Sequence, residues 1–589
     1  MSIIASLHPP RKYPAVRELS DHWKRPTDMT SDLPALPWAV RALLLLASAL
    51  LALTVAAVPA HAHATFSEGS PADGAVLEAA PTEVTLTFDG PVSALTDAIR
   101  VLDPSGQRVD TGEIRRPAAG GTVVAVGLQP DLGPGTYLVD WRVVSADSHP
   151  LNGAYTFSIG SASATVAQAV GTSGPAGIGT LAVSRFLTFA GLVLLVGGAA
   201  FLALCWQAGW QQPLVRRLLW SGWGATVLGT VVGFLAQGPY VTGFPLSRAL
   251  SGTLLADVAT TPYGQALLAR LALLLGAAGV LVVAQRRGPG RATLVPAAML
   301  GAGVLLTQSL AGHAGAGDLR LLTTLADWLH LVAMSTWIGG LVLLTVAMAA
   351  GPRLAELRVT VPRFSRIALT AVAVLVVTGS FQAILQVGSI NALPATPYGR
   401  LLLAKLSLVA VIVFLGAESR EWVQHHAGPQ DPTGPSDTAE LTDAAELRGL
   451  RVSVLAEMVI AAAVLGVTAV LVGTTPAKND YRPETEAIVV AGPAQVEVRV
   501  VPAGERRVSV RVDVYDEQGA RLAVPEMTAD LTHTGRDIGP LAVPLRPAGP
   551  GIYVTDPRSV PMTGKWSLAV HVRTSEIDAY TQTLPVTIR

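Results

Sequence analysis

The stretch LLLLASALLALTVAAVPAHAH, Leu43 to His63, decides how the rest of the chain is read. Its apolar run from Leu43 to Val58 reads as a secretory h-region, and Ala60-His61-Ala62 is a small-residue cleavage site of the A-x-A type. The expectation is export, with residues 1–62 forming a signal peptide and leader, and with Met29 as an alternative start. Cleavage after Ala62 makes His63 the new N-terminus, where a free amine and an imidazole on one residue can chelate a metal ion through two nitrogens. A cut after Ala60 would put His61 there instead.

A second stretch, Ser145-Ala146-Asp147-Ser148-His149-Pro150, offers an oxygen from Asp147 and a third nitrogen from His149. A nitrogen-rich set with one carboxylate in tetragonal geometry suits Cu(II). The bland alternative is a polar turn capped by Asp147 beside an ordinary His-Pro. The expected metal ligands are therefore His63, Asp147 and His149, and the expected metal is copper handled outside the cytoplasm.

Composition points to lipid. The 589 residues are 50% hydrophobic and only 14% charged, with a mean hydropathy of +0.46, so much of the chain must sit in a bilayer and several domains are expected. A formal net charge of +0 argues against a nucleic-acid partner. The single cysteine, Cys205, excludes a disulfide within the chain and a thiolate metal cluster.

Residues 63–160 alternate apolar and polar in short runs, as in Val84-Thr85-Leu86-Thr87-Phe88, which predicts an all-β sandwich or small barrel. Residues 161–181 are dominated by Gly, Ala, Ser and Thr and read as a flexible linker, with an r.m.s. span of about 25 Å. Eight apolar stretches follow, near 183–206, 220–237, 265–284, 292–311, 325–348, 366–387, 400–417 and 452–473. These predict an eight-helix transmembrane bundle over 182–475. Arginines crowd alternate connections, among them Arg216, Arg217, Arg286, Arg287, Arg363 and Arg366, whereas the other connections hold only Arg248 and Arg320. That asymmetry predicts a multi-pass protein of the plasma membrane with both ends outside. Residues 480–589 return to alternation and predict a second exported β-sandwich. A repeat links Thr261-Pro262-Tyr263-Gly264 to Thr396-Pro397-Tyr398-Gly399, with Arg270 and Lys405 at equivalent positions beyond.

These residues match known families. Residues 63–160 resemble the CopC copper-binding domain through His63, Ser70-Pro71-Ala72-Asp73-Gly74 and Trp141-Arg142-Val143-Val144-Ser145-Ala146-Asp147-Ser148-His149-Pro150. Residues 183–475 resemble the CopD membrane family through Asp327-Trp328-Leu329-His330, Trp337-Ile338-Gly339-Gly340, Arg363-Phe364-Ser365-Arg366, Thr378-Gly379 and the repeated Thr-Pro-Tyr-Gly. The C-terminal domain resembles YtkA-like sandwiches through Pro561-Met562-Thr563-Gly564-Lys565-Trp566. The first resemblance implies Cu(II) held by the His63 amine and imidazole, Asp147 and His149. Residues 63–160 contain no methionine, so a Met-rich Cu(I) site of the kind some CopC proteins carry is absent. The second implies copper movement across, or handling at, the membrane.

Within the membrane, His313 ends the fourth stretch, His330 lies about a turn and a half into the fifth, and Met334 follows one turn later. Imidazole with thioether suits Cu(I), giving a candidate membrane path of His313, His330 and Met334. The alternative for His330 is a hydrogen bond to a neighbouring helix, and intramembrane ionisable groups are usually kept for a function. Arg270 and Lys405 are expected to be structural, and Glu457 is read either as a cation relay or as paired with Arg366 or Arg451. The expected function is capture of Cu(II) outside and transport of copper inward, by a protein that is not an enzyme. Partners are then copper ions, the bilayer and extracytoplasmic copper chaperones. The rivals are sequestration without transport, a histidine-brace copper enzyme built on His63, and haem held by His313 and His330.

Overall fold

A computed structural model describes residues 64, 66–117, 120–145, 150–161, 175–312, 319–349, 354–426, 455–481, 484–502, 507–536, 538–561 and 564–588. The N-terminal strands are β1 (Phe66–Ser70), β2 (Val76–Leu77), β3 (Glu83–Phe88), β4 (Val92–Ser93), β5 (Ile99–Leu102), β6 (Asp110–Arg115), β7 (Val123–Leu128), β8 (Gly135–Ser145) and β9 (Pro150–Ile159). They form two sheets, ordered β1-β3-β7-β6 and β2-β9-β8-β4, with β5 paired to β8. The alternation seen in the sequence is the inside-outside alternation of a sandwich: Val84, Leu86 and Phe88 on β3 are buried between the sheets. Aromatic rings fill the end nearest the chain start, where Phe66 stacks on Trp141 at 5.2 Å and on Tyr155 at 5.9 Å.

The helices are α1 (Pro175–Leu192), α2 (Gly198–Leu204), α3 (Pro213–Thr242), α4 (Gly252–Thr260), α5 (Pro262–Arg287), α6 (Arg291–Leu310), α7 (Arg320–Ala349), α8 (Leu354–Val387), α9 (Ala392–Ala395), α10 (Pro397–His426), α11 (Leu455–Leu471) and α12 (Ala477–Asp480). A π-helical turn at Val193–Gly197 joins α1 to α2. Among the described residues seven helices are long and apolar enough to cross a membrane, not the eight expected. The last expected stretch is described from Leu455 onward, where it forms α11, a shorter apolar helix over Leu455–Leu471. Its C-terminal end tightens into i→i+3 bonds, Gly473 N–H to Val470 O and Thr474 N–H to Leu471 O, just before Pro476. At the other end of the bundle α1 begins at Pro175, so the last part of the segment expected as linker, 161–181, is helical.

The repeated Thr-Pro-Tyr-Gly builds two matching corners. Thr261 and Thr396 are N-caps whose hydroxyls accept from Gly264 N–H at 3.0 Å and Gly399 N–H at 3.1 Å. Each corner turns a short helix, α4 or α9, into a long one, α5 or α10.

The C-terminal strands are β10 (Thr485–Ala491), β11 (Ala494–Pro502), β12 (Arg507–Tyr515), β13 (Glu526–His533), β14 (Leu541–Val543), β15 (Arg546–Gly549), β16 (Ile552–Val554), β17 (Arg558–Ser559), β18 (Gly564–Arg573) and β19 (Ala579–Ile588). One sheet runs β10-β11-β12-β16-β15 with β17 on β12, and the other runs β14-β13-β18-β19. A valine-rich core with Trp566 at its centre lies between them.

Candidate metal centres

The first candidate centre is at one end of the N-terminal sandwich. Strands β8 and β9 pair as a hairpin to Val144↔Pro150, so the four residues between Ser145 and Pro150 are its tip. The N–H of Ala64 donates to Ser145 Oγ at 3.1 Å, and both residues are buried. His63, Asp147 and His149 themselves lie outside the described residues. Their flanks nevertheless meet: the residue after His63 is pinned to the residue two before Asp147. Antiparallel pairing brings Val144 opposite Pro150, and the Ser145 hydroxyl holds Ala64 beside that strand end.

The second candidate centre is in the bundle. Because α7 begins at Arg320, His330 lies roughly three turns from its start, deeper than the sequence suggested. Its Nδ1 is 2.9 Å from Thr378 Oγ1 on α8. The Thr378 hydroxyl proton is already committed to Val374 O at 2.7 Å, so Oγ1 acts as acceptor and His330 Nδ1 carries the hydrogen. The lone pair is then on Nε2, which has no hydrogen-bond partner among the described residues. An imidazole held in this way by its second nitrogen is oriented for metal ligation. Met334 follows one turn along α7 and is buried. Gly379 packs beside the imidazole edge, where a Cβ would lie 3.4 Å from His330 Cε1, in ordinary van der Waals contact. His313 lies outside the described residues. Among the described residues no group of three or more His, Cys, Asp or Glu side chains converges.

The charged neighbours divide. Arg270, 2% exposed, donates from Nε to Thr307 Oγ1 at 3.0 Å and from Nη2 to Thr307 O at 3.1 Å, locking α5 to the end of α6. Lys405 on α10, its repeat equivalent, is the cation that acts on both Asp327 and His330. Glu457 is buried, with Oε2 3.9 Å from where a Cβ of Gly416 would lie. In the C-terminal sandwich both nitrogens of His571 are occupied, by Thr581 Oγ1 at 2.9 Å and Asp530 Oδ2 at 3.0 Å.

Between the two centres the N-terminal sandwich sits on the bundle. Leu95 and Val144 share a buried cluster with Leu181, Ala236, Tyr240, Val241 and Val258. Thr96 N–H donates to Asp257 Oδ2 at 2.8 Å. Arg100 lies over the Phe244 ring at 5.2 Å. Gly243 ends α3 in the left-handed region at φ 75°, a conformation that favours glycine, and the Arg142 guanidinium packs against it. Burial at this contact holds the Arg142 guanidinium below its ordinary pKa. A cavity of about 30 Å³, room for water, separates Ser93 and Ser145 from Gln237, Thr261 and Tyr263.

Comparison with known proteins matches this arrangement piece by piece. Residues 66–160 match the CopC domain, residues 177–321 the N-terminal domain of copper resistance protein D-like proteins, and residues 358–471 copper resistance protein D. Copper resistance protein C of Pseudomonas syringae pv. tomato is 34% identical over 106 residues, 17% of this chain and 82% of that protein. The chain belongs to the CopC and CopD copper-resistance families. Copper transport protein CutJ of Bacillus subtilis (strain 168) is 29% identical over 365 residues, 60% of this chain and 67% of that protein. The crystal structure of CopC from Methylosinus trichosporium OB3b aligns along 100% of its own chain and 18% of this one, at 27% identity and a TM-score of 0.16. The chain is thus a multi-pass membrane protein that handles copper. The three matched segments end at residue 471, ahead of the C-terminal sandwich.

In the CopD part, the Trp337-Ile338-Gly339-Gly340 motif is a packing device. A Cβ on Gly339 would lie 2.3 Å from Val193 O in the π-turn, and one on Gly340 would lie 2.1 Å from Phe364 Cε2. The roles of Ser145 and Thr378, and the contact between the CopC and CopD parts, were not assigned from sequence. Both hydroxyls sit inside motifs that were noted, but their partners are distant in the chain.

Proposed function

We propose that the CopC part, 63–160, captures Cu(II) outside the cytoplasm through the His63 amine and imidazole, Asp147 and His149, and that the CopD part, 182–475, carries copper inward. Both sandwiches then face the extracytoplasmic side, in keeping with the arginine-rich alternate loops. The observation that carries the reading is His330: a spanning helix presents an imidazole whose Nδ1–H is tied to Thr378 and whose Nε2 is open, one turn from the Met334 thioether. Copper leaving the first set meets soft and imidazole donors, which favour Cu(I), so a one-electron reductant outside the cell is part of the scheme. His313 would extend the path toward the outer surface. The residues act as ligands to cargo, so the protein is a carrier and not an enzyme, and the domain over 480–589, YtkA-like in sequence, is an exported accessory. Extracytoplasmic copper chaperones are the natural donors.

Sequestration without transport is the competing reading. Uptake of radioactive copper at limiting copper separates the two. Cells carrying the protein are expected to accumulate more copper than cells lacking it or carrying His330→Ala. Equal uptake in all three, with only the deletion strain sensitive to excess copper, would leave sequestration as the function.

A further inference from the structure

The contact between the CopC and CopD parts uses residues that adjoin the proposed copper ligands. Val144 belongs to the buried cluster with Tyr240, Val241 and Val258. Its neighbour Ser145 faces the interfacial cavity and also receives the Ala64 N–H. Ala64 follows His63, and Asp147 and His149 follow Ser145. One short relay therefore runs from the bundle through Val144 and Ser145 to both flanks of the ligand set.

We propose that Cu(II) binding by the N-terminal domain and its docking on the bundle are coupled, each strengthening the other, so that copper is released from a docked domain and not from a free carrier. The inference rests on the ligand set proposed above. Docking buries Val144 and fixes the strand end whose hydroxyl holds Ala64, so the two flanks of the site are held in register before copper arrives. Undocking exposes Leu95 and Val144 and leaves that strand end held by its pairing with β4 and β9 alone, so part of the ordering cost falls on copper binding. Copper bridging the two flanks holds Ala64 to Ser145 in turn, which is the arrangement that docking selects. Such coupling is reciprocal by necessity. The flexible tether expected from sequence gives proximity alone, whereas this contact gives a defined pose.

The test uses the full chain in lipid nanodiscs. The Thr96 amide is the donor to Asp257 and therefore reports docking directly through hydrogen exchange. Saturating Cu(II) is expected to raise protection at Thr96 and over residues 254–258. Asp257→Ala, which removes one hydrogen bond and leaves the core intact, and Val258→Asp, which charges the apolar cluster, are each expected to weaken Cu(II) binding about fivefold or more, the lower end of typical coupling. Unchanged protection together with parental Cu(II) affinity in both variants would overturn the coupling. His149→Ala separates the two levels. If it lowers Cu(II) affinity while the interface variants do not, only the coupling falls; if it binds Cu(II) normally, the ligand set falls and takes the coupling with it.

Discussion

His330 and Thr378 stand 48 positions apart in the chain, yet the threonine decides which imidazole nitrogen is open. Because Thr378 gives its own proton to Val374 O, its oxygen can only accept from Nδ1–H. Thr378→Val removes that acceptor and lets the ring turn or change tautomer. Loss of such a supporting bond commonly costs 10–100-fold in metal affinity or activity, so copper flux per reconstituted protein should fall about tenfold or more, while Thr378→Ser should retain it. Asp513 in the last sandwich is a second residue with a readable consequence. Arg511 donates to it from Nε at 2.7 Å and Nη2 at 3.0 Å, which lowers its pKa below the ordinary 3.8. The folded state then holds this proton less tightly than the unfolded state, so the stabilisation is full above pH 3.8 and fades as pH falls through the folded value. Hydrogen-exchange protection over β11 and β12 in the full chain, taken relative to the intrinsic exchange rate at each pH, should fall below about pH 4, and Asp513→Asn should remove most of that acid dependence. Sequence showed which residue types were suited to copper, since His63, Asp147, His149 and His330 are chemically marked. It did not show the hydroxyls of Thr378, which holds His330, and of Ser145, which holds Ala64, because serine and threonine are common and their partners are set by tertiary pairing.

Period and composition marked most elements well. The alternation in Val84–Phe88 became a half-buried strand, and seven of the apolar stretches became helices long enough to span. The last stretch is described only from Leu455, and its far end tightens at Gly473 and Thr474 before Pro476. The π-turn at Val193–Gly197 was also invisible, since it reflects a helix crossing and not a local preference. At that crossing Gly197 and Gly339 let two backbones approach: a Cβ on Gly197 would lie 1.8 Å from Ser335 O. Gly339→Ala should therefore cost about 1–3 kcal/mol by overpacking and lower the thermal unfolding midpoint of the detergent-solubilised protein. Gly224→Ala, at a position with open space within 4 Å, is the matched control and should leave the midpoint unchanged.

At the scale of the whole molecule, the CopC part rests on the corner made by α3 and α4, with a water-sized cavity beside Ser145. No local pattern announces such a contact: Leu95 and Val144 read as ordinary sandwich residues, and Tyr240 and Val241 as the end of a span. The account places capture outside, a docked transfer face, and a His330–Met334 station deeper in the bundle, which together make a carrier. Copper flux into sealed proteoliposomes holding the purified full chain, with a copper indicator inside and a reductant outside, tests this most directly. The account predicts flux above protein-free vesicles that falls about tenfold or more with His330→Ala, and flux equal to protein-free vesicles for the parent protein would contradict it.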